Sequence, residues 1–177
     1  MNLLLHACCG PCALKCAESL KSERISPTLF YFNPNIHPFT EYQSRRDSLL
    51  QLANRTNTPA IIHGEYGLRD FLSSIPDFDN RCDTCYQIRL DETAKYAKEN
   101  GFEAFTTTLL ISPYQNHEKL KKSGETAALK VGIPFLYRDF RPLFRQGQQA
   151  AREMGLYMQK YCGCVFSEEE RYRKQSK

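Results

Sequence analysis

The sequence predicts an α/β fold: a single domain over residues 1–177, with a mostly parallel five-stranded sheet and helices on both faces. Three observations lead to this prediction. Short apolar runs alternate along the chain with longer segments of helical periodicity, a pattern typical of parallel strands joined by helical crossovers. Hydrophobic residues make up 41% and charged residues 25% of the 177 residues, which suits one soluble globular domain. No internal repeat, low-complexity segment or linker divides the chain.

The first third of the chain contains three of the predicted strands and two helices. Each predicted strand is a short run of apolar or β-branched residues, and Pro11 suits the first turn of the helix that follows the first run. Asn33-Pro34-Asn35 is a turn sequence that ends the second strand. The predicted elements are, in order, a strand over 2–6, a helix over 11–20, a strand over 28–32, a helix over 40–53 and a strand over 60–63.

The rest of the chain alternates in the same way. Thr84 and Gln87 resemble a capping box, which opens a helix that stops at Gly101. The predicted elements are, in order, an irregular stretch over 64–81, that helix, a strand over 103–110, two short helices on either side of Gly124, a strand over 133–137 and a helix over 146–160. We expect the basic residues 171–177 to form a frayed tail.

Net charge and the amino-terminal residues limit the function classes. The formal net charge of +4 permits a nucleic-acid partner without indicating one. The first residues offer only three consecutive leucines and no basic leader, and no stretch reaches the roughly 18 apolar residues of a membrane helix. We therefore expect a cytoplasmic protein with no membrane partner, in a compartment where structural disulfides rarely persist.

Seven of the eight cysteines fall into three closely spaced groups. The first, second and third cysteine groups are, respectively, Cys8-Cys9-x-x-Cys12, Cys82-x-x-Cys85 and Cys162-x-Cys164. Thiolates bind soft metals and carry redox chemistry. In a cytoplasmic chain this pattern favours metal binding or catalytic thiols over structural disulfides. The first group follows the first predicted strand, at the edge of a parallel sheet where ligands bind.

The first two cysteine groups suit a metal centre. Cys82 and Cys85, three residues apart at a predicted helix start, can direct both sulfurs to one point, and the helix amino end favours thiolates. Cys8 and Cys9 converge only if the backbone turns at Gly10-Pro11. Four thiolates suit either a tetrahedral zinc or an iron–sulfur cluster. The adjacent positions of Cys8 and Cys9 are unusual for zinc, whose paired cysteines are normally separated by two to four residues.

The remaining cysteines leave alternatives open. Cys162 and Cys164 form either a strained, easily reduced disulfide or two further metal ligands. Cys12 is either a ligand of a second metal or an unattached thiol at a helix start. Because a cluster transfers single electrons and a dithiol transfers two, a site with both can collect electrons singly and deliver them as a pair. This reasoning favours an iron–sulfur reductase with a two-electron acceptor.

Five sequence blocks in register resemble the QueH-type epoxyqueuosine reductase family. The blocks are HACCGPC from His6, YFNPNIHP from Tyr31 followed by Glu41, Tyr42 and Arg45, RCDTCY from Arg81, FTTTLLISPYQ from Phe105, and GLY from Gly155 leading to YCGC from Tyr161. They cover nearly the whole chain, which makes the resemblance specific. It implies the last step of queuosine biosynthesis, in which the epoxide of epoxyqueuosine at the tRNA wobble position is reduced to an alkene without cobalamin.

The resemblance also implies a fold, cofactors and partners. The fold is that of the nucleotide-binding α/β superfamily that includes tRNA-thiolating enzymes, with a cysteine loop in place of the phosphate loop. The implied ligands of a [4Fe-4S] cluster are Cys8, Cys9, Cys82 and Cys85, and the third cysteine group maps onto a redox-active pair. Some members carry an adjacent mononuclear iron, for which Cys12 or the third group is the candidate ligand. The expected partners are tRNA carrying epoxyqueuosine and an unidentified one-electron donor protein.

Substrate contacts are predicted from polar and aromatic residues near the strand ends. Tyrosines can stack on an extruded base, arginines can contact phosphates, and hydroxyl or amide groups can meet a polar ligand at the sheet edge. The candidates are Tyr31, Asn33, Tyr42, Arg45, Thr107, Ser112 and Gln115, with Phe39 and Tyr114 as further stacking candidates. The candidate proton donors for the leaving epoxide oxygen are His6, Tyr161 and Asp83. His6 is equally well explained as a buried, hydrogen-bonded imidazole.

Other functions also fit the cysteine spacing. A zinc-stabilised RNA-binding module without catalysis predicts a colourless protein with one zinc. A thiol–disulfide oxidoreductase predicts activity from Cys162 and Cys164 alone, unaffected by Cys82→Ala. A tRNA sulfur-transfer enzyme would need a nucleotide-activating loop after the first strand, and the cysteine loop at that position does not supply one.

Overall fold

The structure, a computed structural model, describes residues 1–173 of the chain. Within this range, four parallel strands form one sheet in the order β3-β2-β1-β4. The strands are β1 (Asn2–His6), β2 (Ser26–Tyr31), β3 (Ala60–Ile62) and β4 (Ala104–Thr107). The helices are α1 (Gly10–Ser22), α2 (Phe39–Thr56), α3 (Leu68–Ser74), α4 (Arg81–Glu99), α5 (His117–Val131), α6 (Phe144–Glu153) and α7 (Val165–Arg173).

The central strand β1 shows why helices cover both faces of the sheet. Its Leu3, Leu4 and Leu5 are all fully buried, and successive side chains of a strand point to opposite faces. Leu3 and Leu5 belong to a core that includes side chains of α1, α2 and α6. Leu4 belongs to a second core with side chains of α4 and α5. The predicted parallel sheet with helices on both faces is therefore confirmed.

The strand register brings three loops to one edge of the sheet. His6 at the end of β1 is level with Phe30 of β2 and with Thr107 of β4. Because the strands are parallel, the segments that follow them all leave the sheet on the same side. The first cysteine group, which follows β1, therefore lies beside the segment that follows β4.

The predicted fifth strand over 133–137 is wrong. This segment makes a single bridge to the sheet, between Phe105 and Phe135, with hydrogen bonds from Phe105 N to Pro134 O (3.1 Å) and from Leu136 N to Phe105 O (2.8 Å). The ladder cannot continue, because Pro134 has no N–H to donate and β4 is itself shorter than the predicted 103–110. After Thr107 the chain turns into a short 3-10 helix, Thr108–Ile111.

Two predictions about the region before and at α4 are also wrong. The stretch over 64–81 is not wholly irregular, because it contains α3, whose Phe71 is buried. The capping box fails because α4 already begins at Arg81, which places Thr84 inside the first turn of the helix. The consequence for the site is that Cys82 and Cys85 both lie in the first turns of α4, so the predicted position of these cysteines at a helix start is confirmed.

The later helices differ from the predicted ones for reasons of packing. Gly124 does not separate two short helices, because α5 is continuous through it. A Cβ at Gly124 would lie 2.4 Å from Phe135 Cε1, so glycine lets the helix approach that ring closely. The helix predicted over 146–160 ends at Glu153, and Gly155 follows with a φ of +63°. The last helix, α7, was not predicted.

The carboxyl-terminal end is described in part. Residues 171–173 of the predicted basic tail belong to α7, where Arg173 Nη1 contacts Glu169 Oε1 at 2.7 Å. Residues 174–177 lie outside the described residues. Across residues 1–173, every helix is too short or too polar to cross a lipid bilayer.

Candidate active site

The first cysteine group gathers three buried sulfurs in the loop between β1 and α1. The sulfurs of Cys8, Cys9 and Cys12 all lie within 4.8 Å of one another, and those of Cys8 and Cys9 are 3.8 Å apart. That separation is far longer than the roughly 2.05 Å of a disulfide bond, so these are free thiols. The predicted turn is confirmed, because α1 begins at Gly10 immediately after Cys9. A Cβ at Gly10 would lie 2.6 Å from Ser48 O, so only glycine fits there.

Protonation within the first cysteine group is uneven. The pKa of the Cys8 thiol lies well below its ordinary value because the Cys12 and Cys9 thiols hydrogen bond to its sulfur. The pKa of the Cys12 thiol lies well above its ordinary value because of its hydrogen bonds to Cys8 and Cys9 and its burial. Burial disfavours further negative charge. A bound cation would therefore be needed before all three sulfurs could be thiolates together.

The second cysteine group lies at the start of α4, with Cys85 buried and Cys82 exposed. Burial raises the pKa of the Cys85 thiol to about 12, and it also raises the pKa of Cys82. Desolvation thus favours the neutral thiols at these two positions and opposes the expected effect of the helix amino end, whose preference for thiolates stays a prediction. Among residues 1–173, no other set of three or more Cys, His, Asp or Glu side chains is gathered as closely as the first cysteine group.

The third cysteine group lies in the loop between α6 and α7, and Arg45 of α2 holds this loop in place. The Arg45 side chain is fully buried. Its Nη1 donates to Cys162 O at 2.8 Å and its Nη2 donates to Tyr161 O at 2.8 Å. Its Nε donates to Glu41 Oε1 at 2.7 Å. Cys162 and Cys164 are both free thiols, and Cys162 is exposed.

Arg89 of α4 links the three cysteine groups. Its side chain is only 2% exposed, and its Nε donates to Cys85 O at 3.2 Å. Burial lowers the pKa of Arg89, but negative charge on Cys85, Cys162 and Cys8 raises it above its ordinary value. One guanidinium therefore lies in the electrostatic field of cysteines from all three groups. Cys82 and Cys85 are not part of the set of sulfurs that lie within 4.8 Å of one another, which consists of Cys8, Cys9 and Cys12.

Arg89 also lacks a full set of partners. Its Nη2 atom has no hydrogen-bond partner among the described residues, and none of their carboxylates forms an ion pair with it. A buried cation is costly unless an anion or several acceptors compensate it. An anionic group held by the neighbouring thiolates would compensate the positive charge of Arg89.

His6 is a fully buried imidazole with both ring nitrogens occupied. Nε2 lies 3.1 Å from Phe32 O and Nδ1 lies 2.9 Å from Thr107 Oγ1. Because a carbonyl only accepts, Nε2 carries the proton and Nδ1 accepts from the Thr107 hydroxyl. Burial, with the charge of Arg89, lowers the pKa of His6 to about 4. The structure thus favours the buried-imidazole interpretation of His6 over the proton-donor interpretation.

The other two candidate proton donors are already engaged. Asp83 Oδ1 lies 2.8 Å from Lys119 Nζ at the surface. The Tyr161 hydroxyl donates to the His37 carbonyl, and burial raises the pKa of Tyr161. The role of proton donor stays a prediction for both residues.

Four predicted substrate contacts have structural partners of their own. Tyr31 is buried and donates from its hydroxyl to Tyr42 O at 2.9 Å, and the two rings meet edge to face. Asn33 Nδ2 donates to Ala7 O at 2.9 Å, which ties the loop after β2 to the cysteine loop. Arg45 holds the third cysteine group as described above. Substrate contact stays a prediction for these residues, which are all buried.

The candidates that follow β4 lie closer to the thiols. Gln115 Nε2 lies 3.3 Å from Cys162 Sγ, and the Tyr86 hydroxyl donates to Gln115 Oε1 at 2.5 Å. Tyr86 thereby fixes the orientation of the amide, with its N–H groups toward the sulfur. Ser112 Oγ accepts from Tyr114 N at 3.2 Å and shapes the loop. Thr107 hydrogen bonds to His6. Of these candidate substrate contacts, Gln115 is therefore the one that contacts Cys162, a predicted catalytic residue.

The sequence analysis missed Arg89, Tyr86 and Glu41 as site residues. A usable signal existed for Arg89, which follows Cys85 by four residues and so lies on the same side of α4. Glu41 precedes Arg45 by the same interval, and that spacing is typical of a helical ion pair. Neither spacing shows that the pair is buried, and burial is what gives these residues their roles.

The comparison with known protein families agrees with the resemblance found in the sequence. The family model for "Epoxyqueuosine reductase QueH" matches residues 3–170. The chain is 35% identical over 174 residues to the epoxyqueuosine reductase QueH of Dehalococcoides mccartyi, covering 98% of this chain and 96% of that protein. It is 34% identical over 184 residues to the protein of the same name from Thermotoga maritima, covering 98% and 93% of the two chains.

Solved structures share the fold at low sequence identity. A predicted subunit of tRNA methyltransferase from Methanocaldococcus jannaschii aligns with a TM-score of 0.54 and 11% identity, over 88% of each chain. A deacetylase of teicoplanin biosynthesis aligns with a TM-score of 0.51 and 12% identity, over 87% of this chain and 83% of the other. At such identities the likeness concerns the α/β architecture and not the chemistry.

Proposed function

The chain belongs to the epoxyqueuosine reductase QueH family, and from this premise we propose that it reduces epoxyqueuosine in tRNA at a metal centre held by Cys8, Cys9, Cys82 and Cys85. Members of this family are enzymes of the last step of queuosine biosynthesis. The observation that supports the metal centre is the set of three buried sulfurs of Cys8, Cys9 and Cys12, which lie within 4.8 Å of one another. The buried Arg89, whose Nη2 has no hydrogen-bond partner among the described residues, is a cation that such a centre could compensate. The tRNA partner follows from the family, and a one-electron donor protein remains part of the proposal.

The reaction sets the requirements of the site. Conversion of the epoxide to an alkene takes up two electrons and two protons, breaks both carbon–oxygen bonds and releases the oxygen as water. Oxidation of the Cys162 and Cys164 thiols to a disulfide releases two electrons and two protons, so one dithiol balances one turnover. A donor protein that gives two single electrons would then restore the dithiol, with two protons taken up from water.

The residues present suit a [4Fe-4S] cluster. Such a cluster takes four cysteine thiolates, and a cluster with four thiolates is an anion that would compensate Arg89. When bound, it would supply single-electron transfer. The thiols of the first cysteine group are buried and free, as soft-metal ligands should be. Cys12 lies with Cys8 and Cys9, so it is well placed to bind an adjacent mononuclear iron if one is present.

The chain's own residues have separate tasks in this proposal. Arg45 holds the third cysteine group through the carbonyls of Tyr161 and Cys162, so that Cys162 faces the open side of the site. Gln115 donates a hydrogen bond to the Cys162 sulfur, which would stabilise negative charge there during thiol oxidation. Arg89 offsets negative charge on the thiolates.

The test is anaerobic purification followed by iron and sulfide analysis, an absorption spectrum and a turnover assay. The assay uses tRNA that contains epoxyqueuosine and a chemical one-electron donor. Cys8→Ala and Cys85→Ala should each lose both the iron and the activity. Cys16→Ala is the matched control, because Cys16 is also a buried free cysteine on α1 but lies outside the three groups; it should keep both.

The outcomes separate the competing mechanisms. A colourless protein with one zinc and undiminished turnover would eliminate the iron–sulfur centre. Full activity in both Cys8→Ala and Cys85→Ala would remove the metal from the mechanism and favour a dithiol enzyme. For the third cysteine group, iron in excess of four atoms per chain that disappears in Cys162→Ser and Cys164→Ser would assign these residues to a second metal instead of a disulfide.

A further inference from the structure

Tyr114 is an exposed aromatic side chain at the edge of the proposed active site. It is 85% exposed, whereas the other exposed phenylalanine and tyrosine side chains among residues 1–173 are 37% to 50% exposed. An exposed aromatic ring is not unusual by itself. Its position and the extent of its exposure are what distinguish it.

The position of Tyr114 is set by its neighbour Gln115. Gln115 donates to the sulfur of Cys162 at 3.3 Å, and Cys162 is itself exposed. Tyr114 therefore immediately precedes Gln115, the residue whose amide contacts the proposed redox-active thiol of Cys162. A substrate group in contact with the Cys162 sulfur would therefore lie close to this loop.

The loop that carries Tyr114 is held from three sides. Tyr114 N donates to Ser112 Oγ at 3.2 Å, and Asn116 N lies 3.4 Å from the Tyr86 hydroxyl. The ring packs at nearly a right angle against Phe144, with centroids 5.9 Å apart. These contacts hold the backbone of the loop, and the single ring contact with Phe144 leaves most of the surface of the Tyr114 ring open.

The substrate class supplies a group that fits such a ring. Enzymes that act on a base in RNA separate it from its neighbours in the stack, and this leaves a neighbouring base without a stacking partner. An exposed tyrosine ring can replace that partner whatever the base, because every base has a π face. Arg145, the residue after Phe144, is exposed and has no ion pair with the described residues, so it is available to the adjoining phosphate.

We propose that Tyr114 stacks on the base of a nucleotide adjacent to the modified one and so positions tRNA for reduction; this rests on the proposed function. Tyr114 is a positioning residue for RNA and not a catalytic one. Stacking of one base on an aromatic side chain contributes about 1–3 kcal/mol, which corresponds to a change in affinity of roughly 5-fold to 150-fold.

The experiment compares three variants of the full-length protein. Tyr114→Ala removes the ring, Tyr114→Phe keeps the ring without the hydroxyl, and Leu129→Ala is the matched control. Leu129 is 86% exposed and lies twelve residues along α5 from His117, about 18 Å away. The Kd is measured for an anticodon stem-loop RNA, and kcat and KM are measured with the same RNA carrying epoxyqueuosine.

We expect Tyr114→Ala to weaken RNA binding and raise KM by roughly 5-fold to 150-fold, with kcat changed much less. Tyr114→Phe and Leu129→Ala should bind within about 2-fold of the wild-type protein. A stem-loop with an abasic site on one side of the modified nucleotide should bind the wild-type protein as weakly as the intact RNA binds Tyr114→Ala. On that RNA, Tyr114→Ala should cause no further loss.

Contrary results separate this inference from the proposed function. If the wild-type protein turns over but Tyr114→Ala binds and reacts normally, the stacking proposal is overturned and the function stands. If Tyr114→Ala weakens binding equally for intact RNA and for both abasic RNAs, the ring contacts something other than a neighbouring base, and the proposal is also overturned. If the wild-type protein binds RNA without reducing it, the function fails, and the abasic comparison of Kd values still decides the role of Tyr114.

Discussion

Arg45→Met should destabilise the protein strongly, because it removes a buried cation that makes three hydrogen bonds. Arg45 donates to Glu41, to Cys162 O and to Tyr161 O, and its side chain is fully buried. Hydrogen bonds to charged groups contribute about 1.5–3 kcal/mol each, but such values are not additive. Removal of one partner from a buried ion pair costs about 3–5 kcal/mol, and that range is the expected loss.

Part of this loss comes from the carboxylate that remains. Glu41 keeps a hydrogen bond from the Tyr157 hydroxyl, at 2.5 Å, but it loses its cation and stays buried. The double variant Arg45→Met with Glu41→Leu should therefore recover stability relative to Arg45→Met. It should not restore the position of Cys162, because the two carbonyl contacts of Arg45 remain absent. Stability and the placement of the third cysteine group are thus separable.

The assay is anaerobic urea unfolding, together with the rate at which iodoacetamide alkylates Cys162, followed by mass spectrometry. For a domain of this size, a loss of about 3–5 kcal/mol corresponds to a melting temperature lower by roughly 6–20 °C. Alkylation of Cys162 should change in both Arg45 variants. Arg46→Met is the matched control, since Arg46 pairs with Asp47 at the surface and should contribute less than about 1 kcal/mol. An Arg45→Met protein within about 1 kcal/mol of wild type would refute the reasoning.

Two further predictions test the first cysteine group and Arg89. Gly10→Ala should destabilise the protein by about 1–3 kcal/mol and reduce bound iron, because its Cβ would lie 2.6 Å from Ser48 O. Gly147→Ala is the control and should be neutral or stabilising, because the nearest atom to its Cβ would be 3.5 Å away. Equal effects of the two variants on bound iron would contradict the role of Gly10. Arg89→Met should lower the reduction potential of the metal centre in a titration followed by electron paramagnetic resonance, because loss of a nearby positive charge disfavours the added electron. Arg138→Met, at an exposed pair with Glu23, should leave the potential unchanged, and an unshifted potential in Arg89→Met would show that Arg89 does not face the centre.

Local patterns in the sequence were reliable where the local chain decides the structure. The run of leucines at residues 3–5 predicted a buried strand. Cys82 and Cys85 lie at the start of a helix as predicted, although the capping box that led to this helix failed. Patterns that depend on a distant neighbour were not reliable. Gly124 was interpreted as a helix break, but the ring of Phe135 is the reason for glycine at that position. The fifth strand failed because its pairing depends on where β4 ends.

The candidate site shows the same division. The three cysteine groups, the family resemblance and the placement of a cysteine loop after β1 all come from the sequence. The roles of Arg45 and Arg89 do not, because an arginine looks alike in sequence whether it is solvated or buried. Arg45 was predicted to contact substrate, and the structure gives it three partners inside the protein.

The sequence by itself determined the chemistry of this protein: which thiols exist, how closely they are spaced, and to which reductase family the pattern belongs. The tertiary structure alone decided which of these thiols are gathered together, which two guanidinium groups are buried, and which aromatic ring remains exposed. The physical reason is that residue type and spacing are properties of the chain, whereas burial, charge compensation and exposure arise only when segments that are distant in sequence pack together.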